Sequence, residues 1–192
     1  MLKRTKIVSL LEADQPIEKV LVKGWVRTRR DAKDFSFIEL NDGSSLKNIQ
    51  IIANNNLSNY EEVKKITTGS SLAVTGALVE SKGGNQKYEI VAGEIEIYSL
   101  APDDFPLQKK KHTDEYLRTI AHLRPRTNKY GAAFRVRSEL SFAIHKFFND
   151  RGFRYVHTPI ITGSDCEGAG EMFRVTTLDP KNPPLKEDGS VD

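Results

Sequence analysis

Phe35–Ser44 reads FSFIELNDGS, and Lys47–Ile52 reads KNIQII. Side chains alternate between the two faces of a β-strand. In the first stretch Ser36, Ile38 and Leu40 therefore share one side, and Phe35, Phe37, Glu39 and Asn41 share the other. In the second, Ile49 and Ile51 lie on the aliphatic side while Gln50 faces away. The pattern predicts two strands with a common core face, joined through Asn41-Asp42-Gly43, a hairpin signal. The opposite face carries an aromatic ring, Phe37, where a core gives it no reason to be.

Outward from this pair, VLVKGWVRTR (Val20–Arg29) reads as a preceding strand, with Gly24 marking a bend or bulge. Ser58-Asn59-Tyr60-Glu61 matches a capping box, in which serine and glutamate satisfy each other's free N–H groups at a helix start. Tyr60, Val63 and Ile66 then recur at helical spacing until Gly69. SLAVTGALVE (Ser71–Glu80) and KYEIVAGEIEIYSL (Lys87–Leu100) are two further strands around Lys82-Gly83-Gly84-Asn85. The order β-β-β-α-β-β is that of the all-β OB-fold barrel. Another small antiparallel barrel or an α+β sheet shares it.

Composition divides the 192 residues into three expected parts: a barrel domain over 1–100, a charged, Pro-containing hinge over 101–130, and a second segment over 131–192. In the last part AFRVRSELSFAIHKFFNDRGF (Ala133–Phe153) places Ala133, Val136, Leu140, Ile144 and Phe147 at three- and four-residue steps, so it predicts an amphipathic helix. Gly152 is placed to end that helix in the left-handed conformation. FRYVHTPII (Phe153–Ile161) reads as a short strand, confined to an edge or interface by Pro159. The polar tail from Leu178 onward has no periodicity and predicts no packed structure. A single cysteine, Cys166, permits no intrachain disulfide and fits a reducing, cytoplasmic setting. The N-terminus does not resemble a secretory signal, and no stretch is apolar enough to span a membrane. His145 and His157 read as surface or packing histidines, and no metal-site spacing occurs.

The net charge of +3 does not by itself point to nucleic acid. Distribution says more: Lys23, Arg27, Arg29, Arg30 and Lys33 crowd one stretch, and Lys109, Lys110 and Lys111 another. An aromatic, an amide and arginines near the outer face of the second and third strands suit single-stranded nucleic acid. There a ring stacks on a base and polar groups read its edge. The plainer alternative packs Phe37 under a loop and leaves the basic run as a solvated surface. Alternation leaves open whether Arg30 stands beside Phe37, because Gly24 can kink the first strand.

Gly152-Phe153, Val156 and Pro159-Ile160-Ile161 together resemble motif 1 of the class II aminoacyl-tRNA synthetases. GWVRTRRDAKDFSFIELNDGS (Gly24–Ser44) resembles the anticodon-binding strands of the aspartate, asparagine and lysine subgroup. HLRPRTNKYGAAFRVRS (His122–Ser138) and SDCEGAGEMF (Ser164–Phe173) are similar to the asparagine-specific members, since the aspartate relatives usually read PEGARD where this chain reads CEGAGE.

The resemblance implies an anticodon-binding OB-fold, a hinge and the opening of an α+β catalytic domain. It implies that Phe37 stacks on the central uridine of the anticodon, that Arg30 and Gln50 hydrogen-bond that uridine, and that Lys82 and Asn85 approach the third anticodon base. It further implies a homodimer interface at Phe147, Gly152, Phe153 and Pro159, and an amino-acid-binding loop containing Ser164 and Glu167. A carboxylate at Glu167 suits an ammonium group, since it accepts charge-assisted hydrogen bonds. The implied partners are asparagine-specific tRNA and asparagine, and the implied cofactors of the intact enzyme are ATP and Mg²⁺. Motifs 2 and 3, which carry the family's phosphate-binding arginines, do not occur in these 192 residues. The expectation is therefore a truncated asparagine–tRNA ligase, with no catalytic residue of its own and no adenylate formation. The alternatives are an aspartyl-tRNA synthetase fragment, a free-standing OB-fold nucleic-acid binder, and a dimerisation scaffold.

Overall fold

The computed structural model describes residues 2–84, 86–163, 173, 175–179 and 181–191. It divides into two compact units, Met1–Ser141 and Phe142–Asp192. The first is built on five strands: β1 (Ile17–Asp31), β2 (Phe35–Asn41), β3 (Ile49–Asn54), β4 (Ser71–Glu80) and β5 (Tyr88–Ser99). They close into a barrel in the order β1-β2-β3-β5-β4, the OB-fold arrangement. The long β1 makes closure possible. Its first half pairs with β4 and its second half with β2, and Trp25 stands opposite both Ser71 and Asn41. β3 and β5 run parallel, with Ile51 opposite Ile90.

The alternation of β2 and β3 is realised in full. Ser36, Ile38, Leu40, Ile49, Ile51 and Ala53 are buried, and their neighbours are only half covered. Gly24 marks a close approach of backbones: a Cβ there would lie 2.6 Å from the Asn41 carbonyl oxygen. The bulge falls further along the strand than expected, between Val26 and Thr28.

Four local features depart from, or add to, what the sequence pattern predicts. First, the Asn41-Asp42-Gly43 stretch does not form a tight hairpin; residues 42–48 make a longer loop. Asn41 and Asp42 accept from the Gly43 and Ser44 N–H groups at 2.8 and 3.0 Å, which turns the chain away from β2. Second, the capping box at Ser58 does not form. The helix is one turn, α2 (Tyr60–Val63), whose N-cap is Asn59, and that side chain donates instead to the Ile95 carbonyl at 2.7 Å. Gly69 lies beyond it at φ +94, where a Cβ would meet the Phe105 ring. Third, the stretch before β1 forms α1 (Ile7–Leu11), which was not foreseen. So short a helix is not stable alone. Ile7 and Leu10 are fully buried in the barrel core, each contributing roughly 1.5–3 kcal/mol. Its free N–H groups are met from the 42–48 loop: Ile7 donates to Asp42 and Val8 to Ser44, both at 3.0 Å. Fourth, the charged stretch after the barrel holds α3 (Asp114–Thr119), capped by the Thr113 hydroxyl, with Leu107 and Leu117 buried.

The final helix, α4, covers Asn128–Asn149 and so starts earlier than expected, behind Thr127, whose carbonyl accepts from Gly131 at 2.8 Å. In the second unit it ends as foreseen. Gly152 has φ +87, Gly152 N–H bonds Asn149 and Phe153 N–H bonds Phe148, a Schellman motif. The predicted strand over Phe153–Ile161 does not form. These residues are exposed and hydrogen-bond to no other strand among the described residues. A strand needs a partner for its N–H and C=O groups. The tail holds one isolated bridge, Leu185–Val191, around Gly189 at φ +80, where no order was expected.

Candidate nucleic-acid interface

β1, β2 and β3 present their outer faces side by side. Before the bulge, Val20, Val22 and Val26 point inward. The bulge at Arg27 shifts the parity of everything after it, so Arg30 turns outward and stands directly opposite Phe37. Its guanidinium lies 5.3 Å from the Phe37 ring centroid. Phe35 meets the same ring edge-on at 4.9 Å. The result is a half-covered aromatic platform with a cation over the ring.

Two positions further along β2, Glu39 pairs across the ladder with Gln50 of β3. Asn48 Nδ2 donates to Glu39 at 3.1 Å and Gln50 Nε2 donates to Glu89 of β5 at 2.9 Å. Arg30, Phe37, Gln50 and Lys82 all line one open groove of about 1170 Å³. Asn85, expected beside Lys82, lies outside the described residues. Arg27 and Arg29, equally basic in sequence, go elsewhere. Arg29 spends its donors on the Ile66 carbonyl at 2.9 Å and on Asp31 at 2.7 Å. Arg27 donates to the Arg126 carbonyl, and burial lowers its pKa, with Glu39 pulling the other way and Arg126 adding to the drop.

Among the groups at this groove that sequence reasoning did not single out are Ser81 and Glu89, and Gln86 lines it beside them. Glu89 is only 4% exposed, and its carboxylate takes hydrogen bonds from Gln50 and from the Ser81 hydroxyl, each at 2.9 Å. Alternation in KYEIVAG does put Glu89 on the non-core side. Its contact with Gln50 depends on the parallel β3–β5 pairing, which no local pattern reveals. Gln86 Nε2 is buried without a hydrogen-bond partner.

Comparison with known proteins agrees with this fold. Residues 20–98 match the family model described as an OB-fold nucleic acid binding domain, and residues 113–183 match that of the tRNA synthetases class II (D, K and N). The chain thus carries an OB-fold nucleic acid binding domain followed by a segment of a class II tRNA synthetase domain of the D, K and N group. It is 58% identical over 191 residues to the asparagine–tRNA ligase of Oleidesulfovibrio alaskensis, covering 99% of this chain and 41% of that protein. It is 61% identical over 176 residues to the asparagine–tRNA ligase of Acetivibrio thermocellus, covering 91% and 38%. The chain thus spans about two fifths of the length of these relatives. The crystal structure of asparaginyl-tRNA synthetase from Pyrococcus horikoshii complexed with asparaginyl-adenylate has the same fold at TM-score 0.79. It is 24% identical, with 92% of this chain and 41% of that one covered.

The residues that the synthetase resemblance places at a dimer interface lie in the second unit. Phe147 is 49% and Phe153 61% exposed, and Gly152 and Pro159 are exposed beside them. Arg151 covers one face of Phe147 at 3.6 Å, and Phe148 meets the Phe153 ring at 5.5 Å. An apolar cavity of about 840 Å³ opens between Phe142, Phe148, Phe153 and Val156. Ser164 and Glu167, expected to face the amino acid, lie outside the described residues. No described helix is long and apolar enough to cross a membrane.

Proposed function

We propose that this chain reads the anticodon of asparagine-specific tRNA on behalf of an asparagine–tRNA ligase. The observation that carries this is the convergence of Arg30, Phe37, Gln50 and Lys82 on one groove outside an OB-fold barrel. Phe37 offers a ring face to the central uridine, Arg30 and Gln50 offer donors and an acceptor to its edge, and Lys82 with Asn85 approaches the third base. Such a surface fits an unpaired base better than a duplex, whose bases are already stacked. In this reading residues 1–100 are the anticodon-binding domain, 101–130 the hinge and 131–192 the start of the catalytic domain.

The ligase reaction has two steps. The asparagine carboxylate attacks the α-phosphate of ATP, releasing pyrophosphate. The 3′-terminal adenosine of the tRNA then takes the aminoacyl group from the adenylate. Mg²⁺ and arginines would stabilise the charge that builds on phosphate. Among the described residues no group of carboxylates or imidazoles is placed to hold a metal. Ser164 and Glu167 would hold the amino acid, and Phe147, Gly152, Phe153 and Pro159 would meet a second copy in a cytoplasmic homodimer.

The test is a titration of the purified chain with tRNA of matching and changed anticodons at fixed salt, because salt alone moves such affinities strongly. Preference for the asparagine anticodon is expected, together with no asparagine-dependent pyrophosphate exchange by these 192 residues. Binding without anticodon preference would reduce the groove to a general OB-fold surface. Exchange activity would overturn the assignment of chemistry to residues outside this chain.

A further inference from the structure

We infer that Glu89 is a positioning residue that fixes which way the Gln50 amide faces, and thereby makes the groove discriminate uridine from cytidine. The inference rests on the anticodon reading above and adds to it a residue that touches no base.

Glutamine carries an acceptor oxygen and an N–H₂ donor at nearly the same positions, so a free amide can turn over and exchange them. Gln50 is not free. Its Nε2 donates at 2.9 Å to Glu89 Oε2, and an ionised carboxylate can only accept. Turning the amide over would bring two acceptors together and give up a charge-assisted hydrogen bond. That contrast favours the observed orientation by about tenfold or more. Glu89 is itself held: its side chain is buried, the Ser81 hydroxyl donates to the same oxygen, and it faces Val79 across the β4–β5 ladder.

The orientation matters because the two pyrimidines invert their patterns. Uridine shows an N3–H donor between two carbonyl acceptors, whereas cytidine shows an acceptor at N3 beside an amino donor. A base whose plane is set by the Phe37 ring meets Gln50 in one pose. With the amide locked, a single order of donor and acceptor is offered. With the amide unlocked, either base finds a match. Discrimination then falls while affinity for uridine changes little.

Glu89→Gln tests this, since a carboxamide can accept from Gln50 or donate to it and so permits both orientations. The readout is the ratio of dissociation constants for asparagine tRNA transcripts carrying uridine or cytidine at the central anticodon position, measured with the full chain. The ratio is expected to fall about tenfold, toward that of Gln50→Ala, with affinity for the uridine transcript within a few-fold of the parent. A general loss of structure would weaken both transcripts alike and leave the ratio unmoved. Ser81→Ala, which removes one donor to Glu89 but keeps the carboxylate, gives a second arm with a smaller fall should Glu89→Gln not fold. An unchanged ratio in Glu89→Gln, with Phe37→Ala losing affinity, overturns the role of Glu89 and leaves the interface standing. Unchanged affinity in Phe37→Ala overturns the interface and this inference with it.

Discussion

Phe37→Ala removes the platform on which the anticodon reading stands. One stacked base is worth about 1–3 kcal/mol by alanine substitution, so the dissociation constant for tRNA should rise roughly 5- to 150-fold. Two neighbours set where in that range the result falls. The Arg30 guanidinium sits 5.3 Å from the ring, so the substitution also releases Arg30 from a contact worth about 0.5–1 kcal/mol. Phe35 lies edge-on at 4.9 Å and remains as a partial surface after the change. The first effect pushes toward the upper end and the second toward the lower. Stability should suffer less than binding. Phe37 lies outside the barrel core, so the folding cost is mainly its edge-on pair with Phe35, about 0.5–1.5 kcal/mol. Phe37→Leu separates stacking from bulk, because it keeps apolar contact with Phe35 and loses the flat π-face. The assay is tRNA titration by fluorescence anisotropy at constant salt, with circular dichroism to establish that each variant is folded. A folded Phe37→Ala chain that binds as tightly as the parent would refute the stacking role.

Two further outcomes follow from the same coordinates. Asp42 is pushed up by burial but pulled further down by hydrogen bonds from the Ser44 hydroxyl, the Ile7 and Ser44 N–H groups and Arg4, leaving its pKa below the ordinary 3.8. Its contribution to stability is therefore complete above the unfolded-state value and is lost as pH falls through the lower folded one. Urea melts across the acid range should show this loss, Asp42→Asn should flatten it, and removing the cap should cost about 1 kcal/mol at neutral pH. Phe153→Glu places a charge on the apolar surface beside Phe148, so if this face meets a second copy, sedimentation should shift toward the monomer, while an unmoved profile would reject that interface.

The barrel was legible because β2 and β3 keep a clean period of two, with aliphatic side chains filling nearly all of their core positions. Ser36, Ile38, Leu40, Ile49 and Ile51 were all placed correctly by that rule alone. Elements held by distant partners were not legible. α1 carries no cap of its own and donates its first N–H groups to Asp42 and Ser44, some 35 residues away. Serine and glutamate at positions 58 and 61 matched a capping pattern, but α2 is a single turn fixed by the Asn59–Ile95 bond and the burial of Val63. α3 differs again: Thr113 followed by Asp114 and Glu115 is a helix-start signal, and the surrounding lysines and prolines obscured it. The strand expected over 153–161 had the right residues and no ladder partner among the described residues, and propensity without such a partner makes only an extended segment.

The candidate site sharpens the same point. Phe37 and Gln50 could be placed on the outer face by counting, but Arg30 could not, since counting from Val20, Val22 and Val26 assigns it inward. One extra residue at the bulge reverses that assignment and brings the cation over the ring. The same step leaves Arg29 on the inward parity, opposite Ile38, where it is retained only because the Ile66 carbonyl and Asp31 take up its donors. A single irregularity in β1 therefore sorts neighbouring arginines into one that braces the barrel and one that faces the groove. Losing the bulge would exchange those duties without altering net charge. The basic run in the sequence marks where such an interface can form, and the register of β1 against β2 decides which of its members belongs to it.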